Sequence, residues 1–312
     1  MTTSARPLLV THSGTFHLDD AFAYAVLKLA LGLSAPGLDH TLTRTRDRQV
    51  IERADFVWDV GNIHDPALGR FDHHQRGAPV RDDGVPLSAA GLIWQCYGEV
   101  AVTALLGQDT PVSLVGAVAV EFDRDVVHRM DEIDNGIKDP EDSLGLSSLV
   151  ADCNLPWDST GIGNQDAEDA AFGCASVVVA RFLYHRVIAV RARLDAEAVV
   201  LAACAAASDP RLLELGRKMP WHDIVRRHGL PVFLSVYPVP DGNWVIDAMP
   251  DGLSGYCLPL PAAWAGLRDE ALVAVTGVDD AVFVHPPRFL GVAASRTGAL
   301  AMALLTLDRD QP

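Results

Sequence analysis

The sequence predicts an α/β protein whose N-terminal part is built on a parallel sheet with helices on both faces. Short apolar runs typical of buried strands alternate there with longer segments of helical periodicity. This alternation favours parallel strands joined by helical crossovers. Acidic and histidine-rich motifs directly follow several of the strand-like runs. A parallel sheet presents ligand sites at the carboxyl ends of its strands, so these motifs predict a functional edge.

The first predicted strand is 8–10, and a helix follows over about 19–33. This helix carries apolar residues at helical spacing, namely Phe22, Ala25, Val26 and Leu29. Two further strands are predicted at 40–45 and 56–58, the second ending directly before Asp59. These elements alternate as a parallel α/β sheet requires.

From about residue 88 the pattern becomes helical, with helices predicted at 89–106 and 112–131. One or two more are predicted within the Ala-rich stretch 166–207. A chain of 312 residues is long enough to form two domains. Beyond residue 207 the Ala-rich helical pattern ends and strand-like runs return. This change predicts a first domain at 1–207 and a smaller α+β domain at 208–312.

The C-terminal domain is predicted to contain a hairpin with strands at 232–237 and 244–248. The Pro-Val-Pro-Asp-Gly segment between them is typical of a hairpin turn. Another strand is predicted at 281–284 and a closing helix at 295–307. Strands and helices are therefore segregated here, as in an α+β domain.

The composition indicates a globular protein, with 49% hydrophobic and 21% charged residues. The net charge of −16 speaks against a broad nucleic-acid-binding face, although acids at a metal site would contribute to it. Five cysteines without a Cys-x-x-Cys pair argue against a disulfide framework and a structural zinc site. Neither a membrane-length apolar run nor a signal peptide is evident, so we expect a cytoplasmic protein.

The tripeptide Asp72-His73-His74 is the strongest chemical signal in the sequence. Neighbouring carboxylates and imidazoles are costly to bury unless something binds them, and a metal ion commonly does. Related side chains occur in three other segments where a strand or helix meets a loop: 11–20, 56–61 and 131–136. Because parallel strands end at one edge, we expect His12, Asp59 and Asp72 to face one crevice.

Carboxylate and imidazole ligands without a thiolate suit Mn²⁺ best, with Mg²⁺, Co²⁺ or iron as alternatives. Two such ions about 3.5–4 Å apart can activate a water and stabilise an in-line displacement at phosphorus. One carboxylate must then bridge the ions, and Asp59, at a strand end and central in chain order, is the predicted bridge. Side chains alternate along an extended chain, so His73 and His74 are predicted to point to opposite sides and not to bind the same ion.

Several acids near these motifs have competing interpretations. Asp19 and Asp20 fall in the first turn of the predicted helix, where the helix dipole favours carboxylates, and Asp20 is predicted to serve only there. Asp134 is predicted to join the site from just past the end of a helix, with a simple turn acid as the alternative. Asp131 is the nearby rival and is predicted to be a surface residue.

These motifs resemble those of the DHH phosphoesterase superfamily, which includes RecJ exonucleases and family II inorganic pyrophosphatases. More closely, the chain resembles the melanocyte-proliferating-gene exonuclease family, whose bacterial members have been described as metal-dependent protein hydrolases. The matching segments extend over nearly the full length: 11–20, 44–47, 59–61, 71–75, 88–93, 133–137, 219–221, 258–270 and 283–285. The resemblance implies a DHH-type N-terminal domain and a C-terminal domain that closes over the substrate.

The resemblance also implies roles for individual residues. One ion would be held by His12, His17 and Asp59. The second would be held by Asp19, His73 and Asp134, again with Asp59. The implied catalytic group consists of His74, which would contact the scissile phosphate, Asp59 and Asp72.

The implied reaction is metal-dependent hydrolysis of phosphodiester bonds, as a 3′–5′ exonuclease on RNA or short oligonucleotides with two Mn²⁺ ions. A small-molecule phosphatase acting on pyrophosphate or nucleotides is the first alternative, and the acidic charge favours it. A non-catalytic metal-binding protein is the second alternative. No membrane partner is expected, and the oligomeric state, a homo-oligomer included, stays open.

Substrate contacts are predicted at five basic side chains: Arg44, Arg46, His285, Arg288 and Arg296. The C-terminal motif departs from the family, because Cys257 stands where relatives carry an arginine and 286–296 replaces a Gly-rich turn. Backbone N–H groups of such a turn would cradle a phosphate, and Arg288 or Arg296 would have to compensate. Tryptophans at four positions either stack on bases or pack in a core: Trp157, Trp221, Trp244 and Trp264.

Overall fold

The computed structural model describes residues 6–140 and 143–308, and the chain divides into two compact units, Met1–Arg191 and Ala192–Pro312. We call them the N-terminal and C-terminal units. This division falls before the predicted boundary at residue 207. The reason is the end of a long helix, whose Ala196 and Val200 share a hydrophobic core with Trp221 of the C-terminal unit.

The N-terminal unit contains a five-stranded sheet in the order β2-β1-β3-β5-β4. Its strands are β1 Leu8–Thr11, β2 Thr41–Arg44, β3 Phe56–Trp58, β4 His64–Asp65 and β5 Arg70–Phe71. Strands β2, β1, β3 and β5 run parallel, and β4 pairs antiparallel with β5 at the edge. The predicted parallel sheet is confirmed, and its carboxyl ends form one edge.

Helices cover both faces of this sheet, as predicted. They are α1 Leu18–Ala30, α2 Arg48–Arg53, α3 Ala89–Leu106, α4 Val112–Phe122, α5 His128–Asp134, α6 Leu146–Asp152 and α7 Gln165–Ala206. On one face Ile51 of α2 packs with Val10 and Val57. On the other, Tyr24 of α1 stacks on Trp58, with ring centroids 6.0 Å apart. The stretch 166–207 forms one helix rather than two.

Helix α3 is long and apolar enough to cross a membrane, judged by length and composition alone. Gln95 and Glu99 interrupt it, so it does not stand out as an apolar run in the sequence. Half of this helix is buried inside the protein, where it packs against α1. A core helix has the same composition, so α3 gives no support to a membrane partner.

A π-helical turn, Asp123–Val127, joins α4 to α5 without a break in the helix. The sequence predicts one helix as far as residue 131, and the structure continues it to Asp134. Asp134 is therefore the last residue of α5 rather than a residue just past its end. A π-helical turn holds more residues than an α-helical turn and is frequent at functional sites.

The C-terminal unit contains a second five-stranded sheet, in the order β6-β7-β8-β10-β9. Its elements are β6 Leu212–Glu214, α8 Trp221–Arg227, β7 Leu234–Pro238, β8 Trp244–Ala248, α9 Asp269–Thr276, β9 Ala281–Val284, β10 Leu290–Ala293 and α10 Arg296–Asp308. Strands β7 and β8 form the predicted antiparallel hairpin. Met302 of α10 packs on one face of the sheet, and Trp221 of α8 packs on the other.

Candidate metal centre

Three neighbouring parallel strands end at residues that the sequence assigns to the site. His12 follows β1, Asp59 follows β3 and Asp72 follows β5. His12 Nε2 lies 3.2 Å from Asp59 Oδ2, and His73 Nε2 lies 3.0 Å from Asp59 Oδ1. The structure therefore brings these segments together, with Asp59 between the two imidazoles.

Two helices add carboxylates to the same place. The first turn of α1 carries Asp19 and Asp20, and the last turn of α5 carries Asp134, whose Oδ2 is 3.5 Å from His73 Nε2. Four overlapping sets of side chains have ligand atoms within 4.8 Å of one another: His12/His17/Asp20, Asp59/His73/His74, His17/Asp19/Asp134 and Asp19/Asp20/Asp59. Every predicted metal ligand belongs to one of these sets.

Asp19 has the environment of a metal ligand. Its side chain is almost fully buried, yet neither carboxylate oxygen has a hydrogen-bond partner among residues 6–140 and 143–308. Burial, and then the charges of Asp134, Asp59 and Asp20, raise the pKa of Asp19 well above its ordinary value. A buried unpartnered carboxylate is costly, and an ion is a common explanation. The carboxylate and imidazole donors around it fit a divalent cation.

The close contacts between acids and imidazoles alter the pKa values of His12 and Asp59. Burial alone would lower the pKa of His12, but its hydrogen bonds to Asp20 and Asp59 and their charges raise it to about 10. Burial would raise the pKa of Asp59, but hydrogen bonds from His12 and His73 hold it well below its ordinary value. Asp59 thus lies between two imidazoles, those of His12 and His73, whose pKa values it raises.

The backbone of Asp59 adopts a conformation that side chains rarely take. Its φ is 55°, in the left-handed region, directly after β3 ends. This region disfavours most residues other than glycine by about 1–2 kcal/mol, with aspartate and asparagine among the least disfavoured. Its N–H still donates to the carbonyl of Phe71 at 3.3 Å, so the turn stays attached to β5. Local strain of this kind concentrates at functional sites.

The prediction that His73 and His74 point to opposite sides was wrong. Their ring centroids are only 4.3 Å apart, and His74 Nδ1 lies 3.6 Å from Asp59 Oδ1. The alternation rule applies to extended chain, but β5 has already ended at Phe71. Asp72 Oδ1 accepts the N–H groups of His73 and His74 at 2.8 and 3.2 Å, which folds the segment into a turn.

Both oxygens of Asp72 are occupied by the chain itself. Oδ2 accepts the N–H of Asn62, and Oδ1 also binds His74 Nδ1 at 2.7 Å. The resemblance implied a catalytic role for Asp72, and in the structure its Oδ1 holds the His74 ring through Nδ1. The His74 side chain is 56% exposed.

The helix N-terminal role predicted for Asp20 is confirmed, but its contact with His12 was not predicted. At the helix N-terminus, Asp20 accepts the N–H of His17 at 3.0 Å in a capping box. It also accepts the Thr11 hydroxyl at 2.9 Å and contacts His12 Nε2 at 2.9 Å. The signal was its position three residues after His17, because an acid at that spacing folds back to the start of the helix.

Asp131 is buried, so its prediction as a surface residue was wrong. Its oxygens accept Arg81 Nε at 2.6 Å, Ser88 Oγ at 2.6 Å and the Ser88 N–H at 3.0 Å. Ser88 is the N-cap of α3, so Asp131 ties α5 to the start of α3. Residues three apart on a helix share a face, so the inward position of Asp134 was the available signal.

We expect Asp131→Ala to lower the free energy of unfolding by about 3–5 kcal/mol, because it removes the buried carboxylate that accepts hydrogen bonds from Arg81 and from the Ser88 helix cap. Urea unfolding of the metal-free protein measures this. Asp123→Ala is the matched control, since Asp123 binds the same Arg81 at 2.7 Å but is 31% exposed. Its loss should be about 1 kcal/mol or less. Equal losses for the two variants would contradict the role of Asp131.

The two predicted substrate arginines of the N-terminal unit lie in different environments. Arg46 is exposed. Arg44 is buried with its guanidinium 5.2 Å from the ring of Phe16 and 5.1 Å from that of Phe172. It donates to the carbonyls of Gly14 and Glu168. The Arg44 guanidinium therefore supports the loop after β1.

The remaining predicted substrate residues lie in the C-terminal unit. Arg296 is exposed and forms an ion pair with Glu214, with Nη2 2.7 Å from Oε2. Arg288 has a positive φ of 67° and donates from Nη1 to the carbonyl of Leu260 at 3.3 Å. The His285 ring packs 4.6 Å from that of Phe289.

The four tryptophans separate by burial. Trp221 and Trp264 are buried in the C-terminal unit, and Trp244 packs against its core, as the packing alternative requires. Trp157 of the N-terminal unit is 90% exposed. Among these four, the packing alternative therefore fails for Trp157.

A family model described as "Uncharacterised protein family (UPF0160)", the MYG1 exonucleases, matches residues 8–307. The chain belongs to the MYG1 exonuclease family. The resemblance predicted from the motifs is thereby confirmed. MYG1 exonuclease of Homo sapiens is 34% identical, and the match covers 97% of this chain and 86% of that protein. MYG1 protein C27H6.8 of Caenorhabditis elegans is 30% identical, with 96% and 95% covered.

A solved structure in the comparison is RecJ in complex with Mg²⁺ from Thermus thermophilus. It is 11% identical, with a TM-score of 0.27. The alignment covers 97% of this chain and 49% of RecJ, so this chain spans about half the length of that protein. The membership in the MYG1 exonuclease family therefore rests on the sequence matches.

Proposed function

We propose that this MYG1 exonuclease family member is a metal-dependent phosphodiesterase that shortens RNA or short oligonucleotides from the 3′ end. The observation that carries the proposal is the buried Asp19 carboxylate without a hydrogen-bond partner among the described residues, set among carboxylates and imidazoles. Nuclease names among the family relatives support the reaction class. The free state of the five cysteines supports a cytoplasmic location, which we also propose.

The ligands fit two divalent ions, with Mn²⁺ as the preferred metal. One ion would be held by His12, His17 and Asp59, and the other by Asp19, Asp59, His73 and Asp134. The opposite contacts of Asp59, from Oδ2 to His12 and from Oδ1 to His73, support its role as the shared ligand. Bound there, the ions would activate water and stabilise charge on the phosphoryl group.

Asp20 faces the same nitrogen of His12 as Asp59 does. Its Oδ2 contacts His12 Nε2 at 2.9 Å, while its Oδ1 accepts the hydroxyl of Thr11. The other ring nitrogen, Nδ1, lies 3.1 Å from the carbonyl oxygen of Ser13, a contact that fixes the orientation of the ring. Asp20 is therefore a further candidate ligand beside His12, as its two ligand sets indicate.

His74 is the chain's own donor to the substrate. Its Nδ1 lies 2.7 Å from Asp72 Oδ1, which fixes the orientation of the ring. Its other nitrogen, Nε2, would then donate to a phosphoryl oxygen or to the leaving oxygen. Asp72 acts only through His74 in this scheme.

A small-molecule phosphatase is the second candidate, because the net charge of −16 disfavours a long polyanion. Charge repulsion weakens as the substrate becomes shorter, so the two candidates differ in their dependence on substrate length. A non-catalytic metal-binding protein would hydrolyse neither class.

We expect the metal-stripped protein to be inactive and Mn²⁺ to restore hydrolysis of 5′-labelled oligoribonucleotides in a ladder that shortens from the 3′ end. The rate should stay constant or rise from dinucleotide to longer chains. Pyrophosphate and mononucleotides are tested separately under the same conditions, as the substrates of the second candidate function. Hydrolysis confined to those small molecules would establish the second candidate, and no hydrolysis with any divalent ion would refute an enzymatic function.

A further inference from the structure

The loop between β1 and α1 carries ligands at both of its ends. His12 follows β1, and His17 is the N-cap of α1, directly before Leu18 and Asp19. Gly14 in the middle is exposed and has a φ of 93°. The spacing of His12, His17 and Asp19 therefore depends on what fixes this loop.

Asn154 binds this loop from a distant part of the chain. Its Oδ1 accepts the N–H of Phe16 at 3.1 Å, and its Nδ2 donates to the carbonyl of Phe16 at 3.0 Å. Both functions of the amide thus pair with one residue, the one directly before His17. Nδ2 also donates to the carbonyl of Ala151 at 3.2 Å, which anchors Asn154 to the end of α6.

The side chain of Phe16 is fixed as well, so the amide pair acts on a rigid point. Phe16 is buried and meets the ring of Phe172 edge-on at 5.4 Å. The Arg44 guanidinium lies 5.2 Å from the centre of the Phe16 ring and 5.1 Å from that of Phe172, and it donates to the carbonyl of Gly14. The aromatic packing holds the side chain, while Asn154 sets the orientation of the peptide groups on both sides of Phe16.

We propose that Asn154 is a positioning residue of the metal centre. It holds the peptide planes around Phe16 and thereby sets where the His17 imidazole and the start of α1 lie. The inference rests on the proposed metal site, which Asn154 supports through its two hydrogen bonds to the backbone of Phe16. Ligands must be held closely to a productive geometry, so a loosened loop weakens metal binding before it unfolds the protein.

Two substitutions separate the two halves of the amide. Asn154→Asp keeps the shape and the acceptor for the Phe16 N–H but cannot donate to the Phe16 carbonyl when ionised. Asn154→Ala removes both bonds. Asn164→Ala is the matched control, because Asn164 lies in the same segment between α6 and α7. Its Oδ1 accepts the N–H groups of Asp166 and Ala167, local bonds at the start of α7.

The readout is Mn²⁺ binding to the full-length, metal-stripped protein, followed by the electron paramagnetic resonance signal of free Mn²⁺. We expect both Asn154 variants to bind Mn²⁺ about tenfold more weakly, as when a support of a ligand is removed. Hydrolysis should recover at saturating Mn²⁺, so the metal concentration for half-maximal activity changes while kcat changes little. Asn164→Ala should bind like the wild type.

Unaltered Mn²⁺ affinity in a folded Asn154→Asp protein overturns this inference and leaves the proposed function in place. Circular dichroism establishes folding, and the conservative aspartate keeps the comparison valid if the alanine variant unfolds. A wild-type protein that binds no Mn²⁺ overturns the metal site and this inference together. Equal weakening by Asn164→Ala also overturns it, because the effect would then be a general loss of stability in the segment.

Discussion

Asp59→Asn is expected to lower Mn²⁺-supported hydrolysis by about a thousandfold, since bound ions supply several kcal/mol of transition-state stabilisation and each ~1.4 kcal/mol is a factor of ten. Asp59 lies between His12 and His73, and its two oxygens face one imidazole each. An asparagine keeps the size of the side chain but loses the charge and the second anionic oxygen. Steady-state hydrolysis of a labelled oligonucleotide at saturating Mn²⁺ measures the loss.

The backbone conformation makes asparagine a fair replacement. Asp59 has a φ of 55°, and asparagine is among the residues that tolerate this left-handed region best. Asp83→Asn is the matched control, because Asp83 is also paired with a histidine, at 2.7 Å from His128 Nε2, but on an exposed surface. The control should keep its activity within about twofold, since exposed ion pairs contribute little. An Asp59→Asn enzyme with more than a tenth of wild-type activity would exclude Asp59 as the shared ligand.

Asp19→Asn is expected to stabilise the metal-free protein and to abolish the stabilisation that Mn²⁺ gives the wild type. Neither Asp19 oxygen has a hydrogen-bond partner in the described residues, while the carboxylates of Asp134 and Asp59 repel it. Replacing the carboxyl group by an amide therefore removes this electrostatic repulsion from the folded state. An ion at a hundred times its Kd adds about 2.7 kcal/mol to the free energy of unfolding, and this gain should disappear. Thermal unfolding with and without Mn²⁺ measures both effects.

The neighbouring acid gives the opposite expectation and so provides the control. Asp20 is buried like Asp19 but accepts three hydrogen bonds, from Thr11, His12 and the His17 N–H. Asp20→Asn should therefore destabilise the metal-free protein by about 1–3 kcal/mol, because the buried Thr11 and His12 side chains and the His17 N–H lose the charged acceptor of their hydrogen bonds. Two adjacent substitutions with effects of opposite sign distinguish a built ion site from general crowding of acids. A loss of stability in both variants would contradict this interpretation of Asp19.

The gain from Asp19→Asn should depend on pH in a defined direction. The pKa of Asp19 is raised in the folded protein by burial and then by the charges of Asp134 and Asp59. A raised carboxyl pKa means that the folded state binds its proton more tightly, so wild-type stability falls as pH rises through that pKa. The variant should therefore match the wild type in acid, below about pH 4, and exceed it increasingly towards neutral pH.

The sequence predicted most of the elements that position the centre. Helix α3 at Ala89–Leu106 and strand β8 at Trp244–Ala248 have the predicted bounds, because apolar periodicity and turn residues mark both ends. The convergence of His12, Asp59 and Asp72 followed from a general property of parallel sheets. Short elements such as α2 and β6 were not predicted, since six or three residues carry too little periodicity.

The features that sequence reasoning missed are long-range polar contacts. Asp131 meets Arg81 across fifty residues, and Asn154 meets Phe16 across 138. Neither pair has a local pattern, because hydrogen bonds between distant segments depend on the packing of whole elements. The direction of His74 was mispredicted for a related reason, since the turn is closed by the side chain of Asp72 rather than by backbone pairing.

The π-helical turn between α4 and α5 sets the phase of the helix that ends at Asp134. Each residue of an α-helix advances the side-chain direction by about 100°. In an uninterrupted α-helix, Asp134 would therefore be rotated by five full turns and about 100° from the buried Val115, so its carboxylate would point to a different side of the helix. One additional residue in the wide turn absorbs about that angle, so by this count the Asp134 side chain shares the direction of the buried residues of α4. The number of residues between α4 and Asp134 therefore sets the direction of the Asp134 side chain. Deletion of a single residue would rotate Asp134 away from the site while the helix stayed intact.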